Sequence, residues 1–130
     1  MSHHDPLVRV CHMRDYAREA IDLLGSKTLE ELQQDRTLQL ALRHLVEIVG
    51  EASTRIGNDF KQQHPKVPWS KAAAMRNRLI HGYDVVNISI VYNTVREHLP
   101  FLCEQLAELL ATTDVEAPTL PPPLKEGEAI

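Results

Sequence analysis

The chain has 130 residues, of which 43% are hydrophobic and 25% charged, as expected for one globular domain with its own core. Its net charge of -4 excludes a protein that coats nucleic acid over its whole surface, but allows one local basic site. No apolar run is long enough for a membrane span and no signal-peptide pattern opens the chain, so we expect a cytoplasmic protein without a membrane partner. Cys11 and Cys103 fall within helical patterns and are expected to be reduced core residues.

The first helix is predicted from a capping acid, Asp5, followed by Pro6 at the first helical position. It should run to about Leu24 and stop at Gly25. Its apolar residues recur at helical spacing, which predicts one buried face. That face comprises Val10, Met13, Ala17, Ala20, Ile21 and Leu24.

A short second helix and a long third helix should follow. Residues 28–31, Thr-Leu-Glu-Glu, form a capping-box pattern. Asp35 predicts the start of a helix that reaches about Ile56. Gly50 lies within this helix at a cost of about 1 kcal/mol relative to alanine, so we expect it to permit close helix packing. The predicted buried stripe is Leu38, Ala41, Leu42, Leu45, Ile48, Val49, Ala52 and Ile56. His44 is expected to be a surface or hydrogen-bonded histidine rather than a metal ligand.

The next stretch, residues 57–68, is predicted to be a loop that Phe60 and Val67 attach to the core. Trp69 starts a fourth helix rich in alanine, which favours helix and allows close approach. Gly82 is the expected end of that helix.

A last helix is predicted from its cap at Asn87 to about Ala111, with Pro100 kinking or splitting it. Four of the eight prolines fall in residues 118–123. We therefore expect a helical domain at residues 1–112 and a proline-rich, disordered tail at 113–130. No strand-period segment is present, so the predicted fold is all-α, an antiparallel bundle of four to five helices.

The candidate functional residues lie in the fourth helix. Residues 60–83 contain five cations, Lys61, Lys66, Lys71, Arg76 and Arg78, and no Asp or Glu. This local charge indicates a polyanionic partner such as RNA. At about 100° per residue, Arg76, Asn77, His81 and Tyr83 span an arc of roughly 160° on one helix.

These side chains suit RNA cleavage without a metal, in which the 2′-hydroxyl attacks the adjacent phosphorus. Such a reaction needs a base, an acid and positive charge. Histidine suits the proton transfers and arginine the phosphate, while Asn77 could orient His81 and Tyr83 could bind phosphate or stack on a base. A purely structural interpretation stays open: Arg76 and Arg78 as last-turn cations, His81 bound to a carbonyl, and Tyr83 in the core. Composition and spacing alone favour that interpretation.

Residues 76–83, Arg-Asn-Arg-Leu-Ile-His-Gly-Tyr, resemble the R-x-x-x-x-H-x-Y signature of the HEPN superfamily, in particular its HepT-like toxin branch. The resemblance covers roughly residues 5–111. Its further elements match that branch in order and spacing. They are Asp35-Arg36, residues 48–52 (Ile-Val-Gly-Glu-Ala), Pro68-Trp69, residues 75–77 (Met-Arg-Asn), and Leu99-Pro100.

The resemblance implies a homodimer with metal-independent endoribonuclease activity and no cofactor. Arg76 and His81 would be the catalytic pair, and Asn77 matches the polar residue that often follows the arginine. From the local charge together with the motif, we expect Asn77, Arg78, Tyr83 and Lys71 to support RNA binding. It further implies a type VII-like toxin–antitoxin pair, whose nucleotidyltransferase antitoxin adenylylates the tyrosine at position 83. The main alternative is a non-catalytic helical partner of a nucleotidyltransferase. A purely structural helical dimer would leave the acid-free basic stretch unexplained.

Overall fold

The computed structural model describes residues 5–81 and 87–113, without the side chains of residues 80 and 81. Within these ranges all regular secondary structure is helical. The first four helices are α1 (Pro6–Leu24), α2 (Leu29–Gln33), α3 (Arg36–Thr54) and α4 (Asn58–Gln63). The others are α5 (Trp69–His81), α6 (Ile88–Asn93) and α7 (Leu99–Ala111), with a π-helical turn (Thr94–His98) joining α6 to α7.

The predicted N-terminal caps are confirmed. The Asp5 carboxylate accepts a hydrogen bond from the Leu7 N–H at 2.8 Å, and the Asp35 carboxylate accepts one from the Leu38 N–H at 3.0 Å. The capping box of α2 is complete, and Asn87 caps α6 in the same way as the two aspartates. Each such cap contributes about 1 kcal/mol, which is why these starts could be located from the sequence.

Two helix pairs show the antiparallel arrangement. Arg96, in the π-helical turn that precedes α7, donates to the carbonyl of Gly25 at 2.6 Å, just beyond the end of α1. Further along, Cys103 of α7 lies 3.8 Å from the carbonyl of Arg14 in α1. Because the paired residue numbers run in opposite directions, α1 and α7 are antiparallel. The same holds for α3 and α5, where the Ser53 hydroxyl donates to the Trp69 carbonyl at 3.0 Å.

A single core of mostly aliphatic side chains holds these helices together. The face predicted for α1 is buried apart from the half-buried Ile21, and Cys11 joins it. Cys11 and Cys103 are free and buried, as expected, and burial raises the pKa of both thiols. The all-α bundle is therefore confirmed.

The structure corrects two predictions. The segment predicted as a loop, residues 57–68, contains the short helix α4, whose start at Gly57 has no side-chain cap to reveal it. In α3 the buried stripe is rotated slightly: Val46, Gly50 and Ser53 are buried, whereas Ala41, Ile48 and Ala52 are half-buried. The rotation arises because α3 packs between α1 and α5, so two neighbouring strips of its surface are covered.

The predicted break near Pro100 is confirmed. The π-helical turn precedes it, and the N–H of Leu99 bonds to the carbonyl of Thr94, five residues back. Since proline has no N–H to continue an α-helical ladder, Pro100 occupies the first turn of α7, where none is needed.

Some predictions fall outside the described residues, namely the helix end at Gly82, the placement of Tyr83, and the tail beyond Thr113. Over the described ranges, no helix is long and apolar enough to span a bilayer.

Candidate functional site

Close contact between α3 and α5 positions Arg76. A Cβ atom added to Gly50 would lie 2.4 Å from the Cβ of Arg76 and 3.0 Å from the carbonyl oxygen of Ala72. These distances are too short for any side chain, so only glycine lets α5 approach α3 this closely. The expectation of close packing at Gly50 is confirmed, and the contact brings the base of the Arg76 side chain onto α3.

Glu51, the next residue of α3, orients the Arg76 guanidinium. Its Oε2 lies 2.8 Å from Nε of Arg76, and its Oε1 accepts a hydrogen bond from Nε of Arg55 at 2.9 Å. The hydrogen bond from Arg55 lowers the pKa of Glu51 most, the charge of Arg76 lowers it further, and burial opposes both. Glu51 is therefore an ionised link between two arginines.

The outer edge of the Arg76 guanidinium remains available. Its side chain is 33% exposed. Among the described residues, no group forms a hydrogen bond with Nη1 or Nη2 of Arg76. Because Glu51 holds the Nε side, the two terminal nitrogens form a fork of the kind that binds phosphate with two parallel hydrogen bonds.

Arg76 lines a surface cleft of about 420 Å³ between α1, α3 and α5. Arg9 and His12 of α1 line one wall of the cleft. His44, Glu47 and Glu51 of α3 line it as well, together with Arg55 at the C-terminal cap of α3, and these residues recur at helical spacing on one face. The cleft thus combines three arginines and two histidines with two acids.

The other predicted site residues have different positions. Asn77 is exposed on α5. Lys71 and Arg78 line a separate depression with Thr94 and His98, next to the π-helical turn. Arg78 lies there because it follows Arg76 by two residues and so projects about 200° around the helix from it. The cations of the acid-free stretch that the structure describes therefore do not gather in one cleft.

His81 is the last residue of α5, but its side chain is among the groups that the structure leaves undescribed, as is all of Tyr83. The helical backbone carries His81 five residues, about one and a half turns, beyond Arg76. Over the described part of the chain, no group of three or more His, Cys, Asp or Glu side chains could hold a metal ion.

Sequence reasoning missed five residues of this cleft: Arg9, His12, His44, Glu47 and Arg55, and assigned no role to Glu51. His44 is exposed, as predicted, yet it faces the cleft. A usable signal was present for Glu51, since the costly mid-helix glycine beside it marks the point where another helix approaches. The residues of α1 gave no such signal.

Comparison with known proteins supports one family. The family model described as "Ribonuclease HepT-like" matches residues 13–109. A Thermococcus cleftensis protein named "Probable ribonuclease HepT" is 41% identical over 95 residues, covering 70% of this chain and 86% of that protein. A "Putative RNase" of Caldanaerobacter subterraneus subsp. tengcongensis is 33% identical over 99 residues, covering 76% of this chain and 88% of that protein.

A third relative, a "Putative RNase" of Methanocaldococcus jannaschii, is 30% identical over 100 residues, covering 77% of this chain and 92% of that protein. No solved structure matches the chain. The family match runs from within α1 into α7, so it includes the cleft residues of α3 and α5, whereas Arg9 and His12 precede it. The chain therefore belongs to the HepT-like ribonuclease family.

Proposed function

We propose that the protein is a metal-independent endoribonuclease and that Arg76 and His81 form its catalytic pair. The observation that carries this proposal is the arginine fork in the cleft. Glu51 holds Nε of Arg76 at 2.8 Å, and Arg76 lines a cleft that contains further cations. Family membership and the names of the relatives point to the same activity.

The reaction follows from the chemistry of RNA. A base removes the proton of the 2′-hydroxyl, and the 2′-oxygen bonds to the adjacent phosphorus. The bond from phosphorus to the 5′-oxygen breaks, and an acid protonates that oxygen as it leaves. The products are a 2′,3′-cyclic phosphate and a free 5′-hydroxyl. Arg76 stabilises the added negative charge on the phosphate, and His81 transfers protons.

A homodimer would complete this site. The motif supplies one histidine per chain, whereas the reaction needs both a base and an acid. Two chains related by a two-fold axis would place two copies of Arg76 and His81 around one RNA strand. The dimer is part of the proposal and rests on this requirement for two proton-transfer groups.

The first test is cleavage of a single-stranded RNA by the purified protein in excess EDTA. We expect cleavage to continue, because the proposed chemistry uses side chains alone, and we expect cyclic phosphate ends in the mass spectrum of the fragments. Loss of activity on chelation, with recovery on adding a divalent metal, would overturn the metal-free mechanism. If the protein binds the RNA and leaves it uncut, the non-catalytic alternative is favoured.

The proposal includes regulation at Tyr83. We place the protein in a type VII-like toxin–antitoxin pair whose nucleotidyltransferase transfers AMP from ATP to the Tyr83 hydroxyl, releasing pyrophosphate. Tyr83 follows Arg76 by seven residues, two helical turns if the helix continued, so an added AMP would bring bulk and negative charge close to the RNA site.

We expect incubation with the cognate nucleotidyltransferase and ATP to add the mass of one AMP to the peptide that contains Tyr83. The modified protein should lose RNA cleavage in parallel. A Tyr83→Phe variant should gain no mass, and Tyr92→Phe, which removes the hydroxyl of a half-buried tyrosine on α6, is the matched control. Equal modification of the Tyr83→Phe variant would assign the role to another residue.

A further inference from the structure

The cleft extends away from Arg76 toward α1, and the proposed reaction does not use that part. Arg9 and His12 are three residues apart, so they project from the same face of α1 into the cleft. His44 of α3 lines the cleft as well. These three side chains offer guanidinium and imidazole donors next to the candidate phosphate site.

The two acids of the cleft are already paired with other residues. Glu47 accepts a hydrogen bond from Arg43 at 3.1 Å, and Glu51 pairs with Arg55 and Arg76. Within the described ranges Arg9 and His44 form no side-chain hydrogen bond or ion pair. The ring of His12 packs edge-on against Tyr16, with 6.4 Å between centroids.

A cationic group beside a cleft, with no carboxylate partner of its own, is suited to an external anion. Arginine is the side chain best matched to a phosphate, because its planar fork remains charged at every physiological pH. A strand of RNA whose scissile phosphate lies at Arg76 presents its next phosphates along the same cleft.

We propose that Arg9 and His12 form a second phosphate-binding site, which binds a phosphate of single-stranded RNA flanking the one at Arg76, with His44 donating from the α3 wall. This inference rests on the proposed function, since it assigns part of the same RNA substrate to this wall. It makes α1 part of the binding surface, although the sequence motif lies wholly in and after α5.

Binding is measured with His81→Ala protein, so that the RNA stays intact. Fluorescence anisotropy with a labelled single-stranded RNA should show that adding Arg9→Ala weakens affinity roughly five- to tenfold at about 0.1 M salt. The slope of log affinity against log salt should become shallower by about 0.7, the value for one phosphate contact on a single strand.

The matched control is Arg18→Ala in the same background. Arg18 is an exposed arginine on α1, nine residues after Arg9 and therefore about 180° around the helix. The Arg18→Ala substitution removes the same charge from the same helix without changing the cleft. The slope of log affinity against log salt should therefore equal that of the His81→Ala protein. Equal losses in the Arg9 and Arg18 variants would overturn the proposal, because they would show a general charge effect.

Substrate length gives the second measurement, with His81 intact. A dinucleotide without terminal phosphates has only the scissile phosphate, whereas a longer RNA also has flanking phosphates. Arg9→Ala should therefore lower kcat/KM for the longer RNA roughly five- to tenfold and leave that for the dinucleotide unchanged. Equal losses on both substrates would place Arg9 at the scissile phosphate and overturn the flanking site.

Two further outcomes are decisive. If sedimentation velocity shows that Arg9→Ala changes the oligomeric state, the wall is an interface between copies of the chain and the proposal is wrong. If wild-type protein cuts neither substrate, the proposed nuclease function fails, while the anisotropy measurement still decides whether Arg9 and His12 bind RNA.

Discussion

Glu51 determines which side of the Arg76 guanidinium is free. Its carboxylate lies 2.8 Å from Nε, and the two terminal nitrogens have no hydrogen-bond partner among the described residues. Glu51 is about 38% exposed, so the ion pair by itself contributes little to folding stability. Its effect is on geometry. An arginine held at Nε loses less conformational entropy when its two terminal nitrogens bind a phosphate.

Replacing Glu51 with Gln tests this role, and Glu47→Gln is its matched control. Both residues line the cleft and both pair with an arginine four residues away, but only Glu51 contacts Arg76. Each substitution removes one negative charge, so both should tighten RNA binding slightly. Only Glu51→Gln should lower kcat, roughly tenfold, because Arg76 loses its orientation.

Steady-state kinetics on one RNA substrate separates the two effects, and a circular dichroism melt confirms that each variant is folded. The same kcat in both variants would show that the pairing of Glu51 with Arg76 has no part in the reaction.

At the scale of the helices, the site depends on how closely α5 approaches α3. Gly50 permits that approach at Arg76, and the next residue of α3, Glu51, then reaches Nε of Arg76 with its carboxylate. The packing of two helices and the orientation of a functional arginine therefore share one cause. A stability change at Gly50 should consequently be accompanied by a change in activity.

Gly50→Ala is expected to destabilise the protein, since the new Cβ would meet the Cβ of Arg76 at 2.4 Å and the Ala72 carbonyl at 3.0 Å. Overpacking lowers the free energy of unfolding by about 1–3 kcal/mol, and the higher helix propensity of alanine offsets up to about 1 kcal/mol of this loss. Displacement of Arg76 should lower RNA cleavage more than tenfold.

The control for this substitution is Gly57→Ala, where an added Cβ would meet no atom within 4 Å. Urea unfolding and RNA cleavage are measured on both variants. If Gly50→Ala keeps wild-type stability and activity, the close contact between α3 and α5 does not position the site.

Local signals predicted most helix boundaries, because a cap is encoded within a few neighbouring residues. Asp5, Thr28, Asp35 and Asn87 each bind a backbone N–H two or three positions further on. The helix α4 was missed because it spans six residues, starts at an uncapped glycine and has no buried residue to give a periodic pattern. Short helices of this kind form through tertiary packing more than through local sequence.

The site was less predictable than the fold. The pairing of Glu51 with Arg76 joins residues 25 positions apart, and the contribution of Arg9 and His12 comes from a helix still further away. Local charge indicated a polyanion site near Arg76, but it grouped Lys71 and Arg78 with Arg76, whereas α5 separates them. Charge density along a sequence does not record the side of a helix on which each charge lies.

For the whole molecule, the net charge of -4 coexists with a cleft that has more cations than acids. The negative charges elsewhere should limit non-specific RNA binding, since long-range attraction follows the summed charge. Specific binding then depends on the few arginines of the cleft, which explains why single substitutions there should have large effects. The bundle provides a rigid frame, with α1, α3 and α5 each supplying part of the site.

The rate of RNA cleavage in EDTA tests most directly whether Arg76 and His81 carry out the reaction. It is measured for wild-type, Arg76→Ala and His81→Ala proteins, each shown to be folded by circular dichroism. Arg18→Ala serves as the control for loss of a surface arginine outside the cleft. The proposed reaction predicts that the Arg76 and His81 variants lose at least about 100-fold in rate, as expected when a charge-stabilising or proton-transfer group is removed. Wild-type rates in either folded variant would contradict it.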